Sequence, residues 1–182
     1  MKRRIGVAWD RWRDLSGIMC DKKVPTKLKV LLYKTSIKPT LTYGCETWPI
    51  TKRMEDKLNA TEMRMLRHIH GVTYEDHIMN EEIRSQAKVR ELSVQMRIKR
   101  LQWYGHVCRR DEEEDIRRVM EMEVTGRRKR GRPKQRWLDT IRTDMRCWDL
   151  ERDDTQDRDR WYSLIQLGAC KTATRTGQQP SR

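Results

Sequence analysis

Apolar residues return at three- and four-residue steps through most of this chain, and no segment shows a convincing apolar–polar alternation. Helices are therefore the route by which it can bury a core. Glycine and proline number only nine and five among 182 residues, so breaks are few. Residues 7–20 present Trp9, Trp12, Leu15, Ile18 and Met19 on one face. Thr26 is positioned to cap a second helix carrying Val30, Tyr33, Ile37 and Leu41, which Pro39 should kink or end. Thr51 reads as the cap of a third, with Met54, Leu58, Met65, Leu66 and Ile69 inward and Gly71 at its end. Asn80 reads as the cap of a short helix with Glu81 and Glu82 in its first turn. Over 89–109, Val94, Ile98, Leu101, Tyr104 and Cys108 form a stripe, and Arg90, Arg97, Lys99, Arg100 and Arg110 read as the opposite, basic side. A further helix starts near Trp137, and a last one carries Trp161, Leu164 and Ile165, with Gly168 as its stop. The expected fold is all-α: a helical bundle over 1–123, a basic linker over 124–136, a small helical segment over 137–168 and a disordered tail over 169–182. Trp12, Leu32, Leu58, Leu66, Ile98, Leu101, Leu138, Ile141 and Trp148 are the expected core.

Charge supplies the second constraint. Lys and Arg total 41 against 27 Asp and Glu, a net +14, which favours a polyanionic partner. Seven of those cations, and no acid, fall in RRKRGRPKQR at 127–136. Charges so crowded need water or a polyanion. Arg130 and Arg132, either side of Gly131, could lie in a narrow A·T-rich minor groove. The same composition also describes an exposed linker. Trp103 and Tyr104 sit among the basic residues of 89–110, where an aromatic ring can stack on a base or simply complete the apolar edge of the helix. The expected nucleic-acid contacts are Arg97, Lys99, Arg100, Arg127, Arg128, Arg130, Arg132, Lys134 and Arg136, with Trp103 as the stacking residue. A helix–turn–helix across 80–109 lacks a turn glycine at 86–89.

Other chemistry finds little purchase. His68 and His70 fall on different sides of a helix, and His106 with Cys108 lacks the spacing of a zinc site. The expectation is no metal and no cofactor. The acids at 111–115 and 149–159 are interleaved with arginines, as on solvated or ion-paired faces. There is no Gly-x-Ser-x-Gly elbow and no glycine-rich phosphate loop, so no active site is expected. No apolar run approaches the roughly 20 residues that span a bilayer, and charges return too early after Met1 for a signal peptide. Five widely spaced cysteines argue against a disulfide framework. A nuclear or cytoplasmic, non-secreted protein with no membrane partner is expected.

The stretches LKVLLYKTSIKPTLTYGCETW (28–48), MEDKLNATEMRMLRHIHGV (54–72), NEEIR (80–84), RLQWYGHVCRRDEE (100–113) and KRGRPKQRWLDTIRTDM (129–145) come in a fixed order. Together they resemble the C-terminal region of reverse transcriptases of non-LTR (LINE-type) retrotransposons, whose polyprotein carries an apurinic-type endonuclease ahead of the polymerase. The likeness runs from about Arg4 to Trp161. It implies the thumb and downstream helices, which grip RNA template and nascent DNA, with the palm and fingers as missing partners. The family's aromatic-x-Asp-Asp signature is absent: Arg152-Asp153-Asp154 lacks the aromatic step. The resemblance therefore implies contact with RNA and DNA, as RNA–DNA hybrid or duplex, without polymerization. It carries over the segments from Gly105 to Asp111 and from Arg130 to Trp137, neither with a catalytic role. It also implies a truncated element copy or cut fragment, and places Met63 and Met65 at an interface with the missing palm. The alternatives are a free-standing DNA-binding protein using Arg130-Gly131-Arg132-Pro133, and a relic with no partner.

Overall fold

The computed structural model describes residues 2–122 and 135–176. Every regular element among them is helical, so the chain is all-α. Two compact units divide it: 1–44 with 52–95, and 45–51 with 96–182. Composition does not register that 45–51 groups with the second half, and most of the expected linker at 124–136 lies outside the described residues.

In the first unit, helix α1 (Lys2–Asp14) buries Ala8 and Trp12, and the short α2 (Ser16–Met19) buries Met19. Helix α3 (Thr26–Leu32) starts one position earlier than Thr26 suggested: Pro25 holds the cap position at φ −59° without a side-chain bond. Pro39 does not end the helix. The backbone widens into a π turn over Tyr33–Ile37 and continues as α4 (Lys38–Thr42). A proline ring crowds the carbonyl four residues back and leaves it without a donor, and the wider π turn accommodates both effects. Helix α5 (Lys52–His70) begins one residue after Thr51 and ends at Gly71, whose φ of 68° lies in the left-handed region. There the Val72 amide donates to the Arg67 carbonyl at 3.0 Å and the Gly71 amide to His68 at 3.2 Å, the bond pair of a glycine-terminated helix. Met63 and Met65 are both buried within the chain, contrary to the expected interface role.

Glu62, which the periodic reading left out, lies on the inward face of α5 and is 0% exposed. Lys38 Nζ approaches it at 3.2 Å and Arg84 Nε at 3.6 Å. The Tyr33 hydroxyl and the Leu92 amide donate to it at 3.1 and 3.2 Å. A buried carboxylate survives only with such a full set of partners. Desolvation lowers the Lys38 pKa and raises that of Tyr33. Helix α6 (Asn80–Ala87) is not capped by Asn80: Met79 takes the cap position, and Asn80 Oδ1 accepts from Arg67 at 3.0 Å. The helix ends at Lys88, whose φ of 49° supplies the turn without a glycine.

Helix α7 (Leu92–Cys108) carries residues of both units, and of its 17 residues only His106 is exposed. Of the expected basic side, Arg100 is buried and Arg97 and Lys99 are only partly exposed, while Arg90 and Arg110, just outside the helix, are exposed. The second unit adds α8 (Asp115–Glu121), α9 (Trp137–Cys147) and α10 (Arg158–Thr176). Gly168 is not the stop of the last helix, which runs on to Thr176 through residues expected to be disordered. Expected contacts Arg127, Arg128, Arg130, Arg132 and Lys134 lie outside the described residues.

Candidate nucleic-acid interface

The second unit is built on an ion pair. Asp144 sits between Ile141 and Trp148 on the inward side of α9 and is 2% exposed. Arg97 Nε reaches one carboxylate oxygen at 2.8 Å, and Arg100 reaches the other through Nε at 2.9 Å and Nη2 at 2.8 Å. Arg100 is 0% exposed, and Arg97 lies with its guanidinium 5.3 Å from the Trp148 ring centre. Both were expected on phosphates. The structure corrects this: a buried Asp144 demands cationic partners, and residues three apart on α7 provide two.

Three tryptophans complete this packing, each with its indole N–H bonded. Trp161 donates to the Leu101 carbonyl at 2.9 Å, Trp148 to Thr172 Oγ1 at 2.9 Å and Trp137 to the Glu46 carbonyl at 2.7 Å. Tyr104 stands 6.2 Å from Trp137 and 6.5 Å from Trp161. Burial first, then Cys108, pushes its hydroxyl up to about 12. Burial likewise pushes the Cys45 thiol up to about 11. Arg109 donates to the Thr155 carbonyl at 2.7 Å, and Arg117 to the Cys108 carbonyl. Much of RLQWYGHVCRRDEE and RWLDTIRTDM is thus spent on folding. An acid at a core position, Asp144 three residues after Ile141, was the sequence signal for this pair, as Glu62 four residues after Leu58 was in the first unit.

What stays accessible is narrower than expected. Lys99, Gln102, Trp103, His106 and Tyr162, with Glu46, line a shallow groove of about 410 Å³. The Trp103 and His106 rings stack at 5.3 Å and 28°. Arg158 lies 5.8 Å over the Tyr162 ring, and Arg110 Nη2 is 3.4 Å from His106 Nε2. Of the ten expected contacts, Lys99 and Trp103 are therefore brought together here, while His106 and Tyr162 were missed. Arg136 is exposed, its backbone amide donating to Asp139 at 3.0 Å. It lines a separate cavity of about 750 Å³ with Arg117, Arg142 and Arg152. Glu121 engages Arg117 at 3.1 Å and Arg152 at 2.6 Å, and Asp139 engages Arg142 at 3.5 Å. Among the described residues no three His, Cys, Asp or Glu side chains group to hold a metal, and no helix is long and apolar enough to cross a membrane.

No family model matches the chain, and no solved structure matches it. In an alignment of 175 residues that covers 90% of this chain, it is 27% identical to an uncharacterized transposon-derived protein of Caenorhabditis elegans. The chain spans 62% of that protein's length.

Proposed function

We propose that this chain is a helical thumb and downstream segment of a retrotransposon reverse transcriptase, which binds RNA–DNA hybrid or DNA through charge and has no polymerase or endonuclease site of its own. The observation that carries the reading is the likeness to a transposon-derived protein over 90% of the chain. A net charge of +14 supports a polyanionic partner. Lys99, Trp103 and Arg136 remain as contacts, together with Arg127, Arg128, Arg130, Arg132 and Lys134 of the basic run, and Arg97 and Arg100 do not. The palm and fingers are the protein partners of this reading, and the nucleus its place of action.

Fluorescence anisotropy of the full chain tests it, on an A·T-rich duplex, a G·C-rich duplex and an RNA–DNA hybrid at two salt concentrations, beside a variant with 127–136 neutralised. The expected result is steeply salt-dependent binding with the hybrid preferred. A preference for the A·T-rich duplex, lost in the variant, would replace this reading with minor-groove binding by Arg130 and Arg132. No binding at the lower salt would leave a relic whose basic run is only a linker.

A further inference from the structure

We infer that the groove lined by Lys99, Gln102, Trp103, His106 and Tyr162 is a base-stacking subsite for single-stranded nucleic acid, an assignment that rests on the proposed function and deepens it. The groove is shallow and open, and unpaired bases are the nucleic-acid groups that stack on exposed aromatic side chains. Its lining contains one lysine and one glutamate, so net charge does not select the occupant. The rings do. Tyr162 is 36% exposed on α10, and Trp103 is half-buried on α7, its ring already stacked against His106. In a duplex both faces of a base are covered by its neighbours, and only an unpaired base offers a face to such rings. Gln102 adds an amide able both to donate to and accept from a base edge. Arg158, over the Tyr162 ring, and Arg110, beside His106, stand where a backbone running past the groove would meet cations.

The test uses the full chain with a fluorescent single-stranded oligonucleotide and an abasic one of equal length, whose phosphates are the same. Trp103→Ala and Tyr162→Ala are measured beside the unaltered chain, with circular dichroism confirming the helix content of each; Tyr162→Ala, at a more exposed position, keeps the test valid if Trp103→Ala fails to fold. The unaltered chain should prefer the base-bearing strand by about tenfold, and each variant should lose most of that preference. Neither substitution alters charge, so affinity for the abasic strand and its salt dependence should hold. Equal binding of the two strands by the unaltered chain, or a preference untouched in a folded variant, would overturn the subsite while hybrid and duplex binding still upheld the broader reading. Failure to bind any nucleic acid would overturn both.

Discussion

Gly105 and Gly168 sit in mid-helix, and indoles occupy the space their side chains would take. A Cβ on Gly105 would lie 2.5 Å from Trp161 Cδ1, and one on Gly168 would lie 2.5 Å from Trp148 Cγ. Gly105→Ala should therefore destabilise by about 1–3 kcal/mol through overpacking, despite the better helix propensity of alanine. Gly6→Ala in α1, where nothing lies within 4 Å, should stabilise by about 0.5–1 kcal/mol. Urea denaturation of the two variants gives the comparison, and equal shifts would contradict the close approach at Trp161. In sequence Gly168 resembles a stop, because a glycine kept for space looks the same as one kept for a left-handed turn. Gly71, which does end a helix, is marked by its place after the last apolar residue.

Tyr104 gives a pH dependence at the same scale. Its pKa is raised from 10.0 to about 12 by burial, so the folded state holds this proton more tightly than the unfolded state does. The resulting stability is complete below pH 10 and is lost as pH rises through about 12. Denaturation midpoints measured across that window should fall for the unaltered chain and fall less steeply for Tyr104→Phe. A residual slope belongs to Cys45, whose thiol is raised to about 11, and to Tyr33, whose hydroxyl burial also raises.

At the scale of elements, α7 departs furthest from its sequence reading. An apolar stripe was legible, but Arg97 and Arg100, two of the four arginines placed opposite it, turn to Asp144 on α9. Asp144→Ala would strand Arg100 without its carboxylate and should cost about 3–5 kcal/mol. Asp56→Ala, which breaks the solvent-exposed pair with Lys52 at 3.2 Å, should cost at most about 1 kcal/mol. Thermal unfolding would separate the two, and similar losses would mean that Asp144 is not acting as a buried counter-ion. Pairings of this kind escape a helix-by-helix reading because each partner, taken on its own helix, resembles an ordinary surface charge. The order and type of helices were legible because amphipathic period and helix ends are local properties.

For the whole molecule, the salt response measures how much of the +14 charge meets a polyanion. Six phosphate contacts from 127–136 would give a slope of log K on log salt of about −5, and roughly a thousandfold loss from 50 to 200 mM. Neutralising that run should flatten the slope by about 5. A slope unchanged in the variant would assign binding to cations elsewhere on the chain, and the run to a linker role.

The sequence by itself determined an all-α chain, a strongly basic balance and a likeness to transposon proteins, since period, charge and ordered motifs are all properties of residues in line. Only the tertiary structure decided which cations face solvent. Burying Asp144 takes Arg97 and Arg100 out of the candidate interface, because a carboxylate without water must have its counter-charges. Packing of α7 against α10, where Trp161 bonds to Leu101, likewise brings Tyr162 to the groove that Trp103 lines, across a sequence separation that no local pattern spans.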